Sequence, residues 1–203
     1  MLLYYITDRT QFVGNERERR SALLRKIVEA SRCGVDFIQI REKDLRTREL
    51  EEVTRAAVSA VRENSQHTRL LVNSCCDVAI ASGADGVHLR SDDISPHDVR
   101  AVWANPVIAV SCHTPTEVAR SSASGADFVV LAPVFEKAGT PAQPAGMDGL
   151  KAATRHCVQV FALGGITTTN ARACVEAGAA GVAGIRLFQQ NDVGEIVQAL
   201  RAS

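Results

Sequence analysis

Gln39, Arg41 and Lys43 stand at alternate positions in the stretch Val35-Asp36-Phe37-Ile38-Gln39-Ile40-Arg41-Glu42-Lys43. In an extended strand alternate side chains share one side, so two cations and an amide would converge just past an apolar run, with Phe37, Ile38 and Ile40 largely packed. Such a group suits an anion; the plain alternative is a strand end whose charges are merely solvated. A second set is made of backbone. Gly164-Gly165-Ile166 and Gly184-Ile185-Arg186 each follow an apolar run, and glycine lets N–H groups approach an anion closely. Further polar clusters close other apolar runs: Thr7-Asp8, Asn73-Ser74, His88 followed by Arg90, Ser91, Asp92 and Asp93, Ser111-Cys112-His113, and a long segment from Glu136 to Gly146.

These clusters need elements that bring them to one place. Apolar runs occur at Leu2 to Thr7, Asp36 to Arg41, Leu70 to Asn73, Gly86 to Leu89, Val107 to Ser111, Phe128 to Val134, Val158 to Gly164 and Gly181 to Ile185. Between them lie helical patterns. Leu23, Leu24, Ile27 and Val28 form one apolar face, and Leu50, Val53, Ala57 and Val61 another. Ser95-Pro96-His97-Asp98 and Thr114-Pro115-Thr116-Glu117 read as a cap, a proline in the first turn and an acid at the third position. Eight strand-helix units in 203 residues leave about 25 residues each, near the lower limit for an α/β fold of the (β/α)8, TIM-barrel type. Cys33-Gly34-Val35-Asp36, Ser82-Gly83-Ala84-Asp85, Ser124-Gly125-Ala126-Asp127 and Ala177-Gly178-Ala179-Ala180 recur before every second strand, which suggests ancestral doubling or a repeated packing need. A doubly wound open sheet would normally carry a G-x-G-x-x-G turn after its first strand, and the sequence has none there. The expectation is a single TIM-barrel domain over residues 1–203, with its chemistry at the C-terminal strand ends and two anion sites, one near the second strand and one at the seventh and eighth.

Composition removes several classes of function. The 23 basic and 23 acidic residues cancel and aromatics are 4%, so neither a long-range field nor a stacking surface points to nucleic acid. No apolar run reaches membrane-spanning length and the N-terminus has no signal-peptide pattern, so a cytoplasmic location is the default. The six cysteines include no C-x-x-C pair and read as buried reduced thiols. Oligomeric state stays open, a homo-oligomer included.

The ordered set Tyr5-Ile6-Thr7-Asp8, Gln39-Ile40-Arg41-Glu42-Lys43, Gly83-Ala84-Asp85-Gly86-Val87-His88-Leu89, Val110-Ser111-Cys112-His113, Ala132-Pro133-Val134-Phe135 and Ala162-Leu163-Gly164-Gly165-Ile166, followed by Asn170, resembles the thiamine-phosphate synthase family, including its thiazole tautomerase branch, TenI. The resemblance covers essentially the whole chain. It implies a transferase of thiamine biosynthesis that joins hydroxymethylpyrimidine diphosphate to thiazole phosphate and releases pyrophosphate with magnesium. On that pattern Gln39, Arg41, Lys43 and Asn73 hold the pyrimidine diphosphate, Asp93 binds Mg2+, and Ser111 lies beside the leaving group. Gly164, Gly165, Gly184, Ile185 and Arg186 border the thiazole phosphate, and Arg41, Lys43 and His113 are the catalytic candidates.

Three departures qualify the pattern. Ser74 stands where the synthase has a second magnesium-binding Asp, and a neutral hydroxyl is a far weaker ligand, so metal binding is expected to be weak or absent. The Thr-x-Thr-Lys clamp after the sixth strand is replaced by Glu136-Lys137-Ala138-Gly139-Thr140, with Lys137 a substitute at altered spacing. Arg186 replaces a Ser after the eighth strand. These losses keep two alternatives open: a tautomerase, which needs no magnesium and would use His113 to move a proton, and a barrel that binds thiamine precursors without turnover. His88 reads as an internal barrel residue rather than a catalyst, and His67, His97 and His156 as surface residues.

Overall fold

The computed structural model describes residues 1–136 and 143–202. Its strands are β1 (Leu2–Ile6), β2 (Phe37–Ile40), β3 (Arg69–Asn73), β4 (Gly86–Leu89), β5 (Val107–Cys112), β6 (Phe128–Leu131), β7 (Gln159–Ala162) and β8 (Gly181–Gly184). All pair in parallel and in chain order, and β1 bonds to both β2 and β8, so the sheet closes into the expected eight-stranded barrel. Around it run α1 (Glu16–Arg32), α2 (Thr47–Asn64), α3 (Cys76–Ser82), α4 (Pro96–Val102), α5 (Pro115–Ala123), α6 (Gly146–Ala153), α7 (Ala171–Glu176), α8 (Arg186–Gln189) and α9 (Val193–Ala202).

Local chemistry explains the boundaries. Ser95 and Thr114 cap α4 and α5 by accepting from the N–H groups of Asp98 and Glu117, with Pro96 and Pro115 in the first turns. Asn15 and Glu18 form a reciprocal capping box on α1. The apolar face of α2 is buried as expected, whereas α1 is rotated: Leu23, Ile27, Ala30 and Ser31 face the barrel, and Leu24 and Val28 are only partly covered. β6 stops at Leu131 rather than Val134, since Pro133 brings no N–H to a ladder. β7 stops at Ala162 because Gly164 and Gly165 turn away at φ of 96° and 67°.

Two apolar layers follow from the strand period. Residues pointing outward, such as Ile38, Ile40, Val72, Val87 and Val129, pack under the helices. Residues pointing inward, Tyr4, Phe37, Phe128 and Phe161 among them, fill the barrel. Phe37 and Phe128 approach to 4.8 Å between ring centroids and Phe128 and Phe161 to 4.9 Å, plugging the interior below the C-terminal mouth.

The repeated Gly-x-Asp has a concrete role at the N-terminal end. Asp36, Asp85 and Asp127 donate their own N–H to the carbonyls of Leu3, Leu70 and Ile108. Their carboxylates accept the N–H groups of those same residues at 2.8, 2.8 and 2.7 Å. β2, β4 and β6 therefore each enter by satisfying orphan groups of the odd strand before them. The preceding glycines sit at φ of 79°, 70° and 87°, and the carbonyls of Gly34, Gly83 and Gly125 accept from Arg201, Arg62 and Arg100. The fourth copy keeps the glycine turn at Gly178, φ 97°. There Ala180 replaces the acid, and Thr154 donates to the Ala177 carbonyl instead of an arginine.

The cysteines are free, but only Cys112 and Cys174 are buried; Cys33, Cys75 and Cys76 are half-buried, and Cys157 is exposed because it lies in the turn before β7. No helix among the described residues is long and apolar enough to cross a membrane.

Candidate active site

The barrel mouth holds two cavities that share Arg41, Asn73, Ser111 and His113. The inner one, about 450 Å³, reaches from Gln39 and His88 to Gly164, Gly165, Gly184, Ile185 and Arg186. The outer one, about 880 Å³, is bordered by Lys43, Ser74, Cys75, Arg90 and Asp92. Most of the expected site residues are thus brought together as two lobes of one mouth, whereas Asp93 lines neither lobe and lies behind Ser74, whose hydroxyl it accepts. Lys137 lies outside the described residues.

Gln39, Arg41 and Lys43 do not form one continuous strand face. β2 ends at Ile40; Gln39, 1% exposed, belongs to the floor, Arg41 is a half-buried wall residue, and Lys43 reaches the outer lobe from an exposed turn. Burial lowers the pKa of the Arg41 guanidinium while Asp8 and Glu42 oppose the shift, and an arginine stays charged under such a change.

What holds Arg41 was missed in the sequence. Thr7 Oγ1 accepts from the Arg41 backbone N–H at 3.0 Å and donates to Glu42 Oε1 at 2.6 Å. The other Glu42 oxygen accepts from the Arg9 N–H at 2.9 Å and from its guanidinium at 3.2 Å. Arg9 and Glu42 are both buried, and Arg9 also grips Asp44 and Glu16. Gln189 ties the same region to β1, accepting from Tyr5 Oη and the Asp8 N–H and donating to the Asp8 carbonyl. The only local hint is an acid at 42 between two cations.

Ser74 adopts a left-handed backbone, φ 58°, a region strained for most side chains and most tolerant of Asn and Asp. Its hydroxyl donates to Asp93 Oδ2 at 2.7 Å, and the Arg90 N–H donates to the same oxygen. Among the described residues no group of three or more His, Cys, Asp or Glu is gathered for a metal. One carboxylate beside a hydroxyl fits Mg2+ only where substrate oxygens and water complete the octahedron, which is how this ion is commonly held next to a diphosphate.

The two site histidines differ. His88 is 2% exposed and bonded at both nitrogens, to Tyr4 Oη and Ser111 Oγ, each at 2.8 Å. Burial, with Arg41 nearby, lowers its pKa to about 3, so it is neutral at physiological pH. His113 is exposed, and its Nδ1 lies 2.6 Å from the Ala132 carbonyl. A carbonyl only accepts, so Nδ1 carries the proton and Nε2 is left as the basic nitrogen.

Across β1 from the cations, the ends of β8 and its neighbour β7 present backbone. A Cβ on Gly164 would come within 2.8 Å of Pro133 Cα, and one on Gly165 within 2.7 Å of Phe135 Cβ. Asn170 fixes the turn between them and α7, donating to the Gly165 carbonyl and accepting from the Thr167 N–H. Arg186 is exposed at this rim.

A family model described as thiamine monophosphate synthase matches residues 3–188. A putative thiamine-phosphate synthase 2 of Aquifex aeolicus is 36% identical over 188 residues, covering 92% of this chain and 96% of its own length. The thiamine-phosphate synthase of Chloroflexus aurantiacus is 34% identical, covering 98% and 91%. The solved thiamine phosphate pyrophosphorylase from Pyrococcus furiosus superposes with a TM-score of 0.84 at 30% identity, covering 99% of this chain and 94% of that one.

Proposed function

The chain belongs to the thiamine monophosphate synthase family, and on that footing we propose that its barrel mouth joins hydroxymethylpyrimidine diphosphate to thiazole phosphate with release of pyrophosphate. One observation carries the reading: a wall containing Arg41 and Lys43 and a glycine-rich wall at β7 and β8 face a shared space bounded by Arg41, Asn73, Ser111 and His113. That is the layout two anionic substrates need if they are to react with each other.

Arg41 and Lys43 take the diphosphate, whose charge grows as it leaves, so fixed cations stabilise the transition state more than the ground state. Asp93, with the Ser74 hydroxyl beside it, would hold a Mg2+ ion, which would supply further neutralisation of that charge. The N–H groups at Gly165 and from Gly184 to Arg186 hold the thiazole phosphate, with Gly164 leaving room for it. Ile6, Leu163, Ala183 and Leu187 line the inner lobe and limit water, which would otherwise compete with the thiazole nitrogen for the pyrimidine cation.

His113 supports a second reading. Its fixed tautomer leaves a basic nitrogen at the mouth, the equipment for moving a proton on a thiazole carboxylate phosphate. A magnesium titration with both synthase substrates separates the two. Pyrophosphate release is expected only with both substrates and magnesium, and Ser74→Asp should raise the apparent magnesium affinity, since it adds a hard anionic oxygen at a backbone that tolerates Asp. Magnesium-independent tautomerisation, lost in His113→Ala and unaccompanied by pyrophosphate release, would replace the synthase reading with the second.

A further inference from the structure

A hydrogen-bond chain runs from the barrel interior to the cavity. Tyr4, fully buried, places its hydroxyl 2.8 Å from His88 Nδ1, and His88 Nε2 lies 2.8 Å from Ser111 Oγ. Ser111 borders both lobes, so the chain begins among the interior aromatic rings and ends on the shared wall.

Its direction follows from donor and acceptor counts. A neutral imidazole donates from one nitrogen and accepts at the other. If Tyr4 donates to Nδ1, then Nε2–H donates to Ser111 Oγ and the serine's own proton is left for the cavity. In the reverse direction Ser111 would give its proton to Nε2 and show the cavity only lone pairs. Burial decides between them. The Tyr4 hydroxyl is sealed in the barrel 2.8 Å from His88 Nδ1, and a buried O–H denied an acceptor costs more than a spare lone pair. The phenol therefore gives its proton to His88.

We propose that Tyr4 and His88 are positioning residues which hold Ser111 as a hydrogen-bond donor into the cavity. The acceptor rests on the synthase reading: the leaving diphosphate oxygen, whose basicity rises as the bond to the pyrimidine methylene breaks. A donor set in advance stabilises that oxygen most in the transition state. No proton need transfer along the chain.

Nitrogen NMR of the ¹⁵N-histidine-labelled protein reads the direction without any turnover. The expected result is the Nε2–H tautomer of His88; an Nδ1–H tautomer overturns the proposal. Kinetics read the consequence. Ser111→Ala and Tyr4→Phe should each lower kcat, the serine change by about tenfold or more, as loss of a charge-assisted hydrogen bond predicts, with KM for both substrates within about twofold. Because Tyr4 acts through Ser111, the double substitution should be no worse than Ser111→Ala alone, and additive losses overturn the assignment. His88→Gln retains an amide N–H and should keep more activity than His88→Leu at equal folded fraction; equal losses count against it. Absence of pyrophosphate release by the unsubstituted protein would defeat the synthase reading, and with it the acceptor named here, while the tautomer measurement would still decide the direction of the chain.

Discussion

At the scale of single residues, the charged wall of the mouth is preorganised by a buried network behind its guanidinium. Arg41 has its backbone N–H bonded to Thr7, and Thr7 in turn is bonded to Glu42, which is buried against Arg9. Removing the guanidinium and loosening its support should therefore look different. Arg41→Ala should weaken pyrimidine diphosphate binding by about 1.5–3 kcal/mol, the value of a charge-assisted contact, and weaken thiazole phosphate binding less, since Arg41 also borders the inner lobe. Glu42→Gln should weaken the same ligand less but also destabilise the fold by about 2–3 kcal/mol, because Arg9 and Thr7 lose a charged acceptor in a buried place. Calorimetric titration with each ligand and urea unfolding of both variants make the comparison. Equal weakening of both ligands in Arg41→Ala would break the assignment of two lobes to two substrates.

At the scale of elements, the most regular device is the acid that opens β2, β4 and β6. Asp127 accepts from the Ile108 N–H and from Arg100 at the end of the barrel opposite the mouth. Asp127→Ala should cost about 1–3 kcal/mol in urea unfolding through the orphaned N–H, with KM for either substrate unchanged; a shift in KM would mean that the two ends are coupled. The same contrast explains what the sequence made legible. Strand order, the caps at Ser95 and Thr114 and the glycine ends of β7 and β8 rest on neighbours within a few residues, and periodicity or turn chemistry exposes them. Glu42 and Arg9 meet across 33 positions and Gln189 reaches Asp8 across 181, and no local pattern announces such a pairing. The apolar flanks of His88 mark it as internal, and it is buried. Its bond to Ser111 depends on β4 and β5 being adjacent in register, which only the closed sheet supplies.

At the scale of the whole molecule, the barrel interior couples the site to stability, because one residue of the mouth's floor is an ionisable group sealed inside the core. His88 keeps its neutral form with a pKa lowered to about 3 from 6.5. The folded protein therefore binds fewer protons than the unfolded chain between those values, and folding stability must rise with pH across that window. His88's contribution is complete above about pH 6.5 and is lost as the medium is acidified toward 3, at up to about 1.4 kcal/mol per pH unit. The lowered carboxylates at Asp44 and Glu16, which Arg9 stabilises, have ordinary values of 3.8 and 4.5, so their contributions begin to fade only lower down. Between about pH 6.5 and 5 the histidine dominates among these three shifted groups. Urea unfolding at pH 7.5, 6 and 5 should show the unsubstituted protein losing stability faster than His88→Gln, whose amide has no proton to take up and keeps an N–H for Ser111. Parallel stability curves for the two proteins would mean that protonated His88 is accommodated in the folded barrel. An interior that admits that charge would also admit the water that the proposed cation chemistry has to exclude.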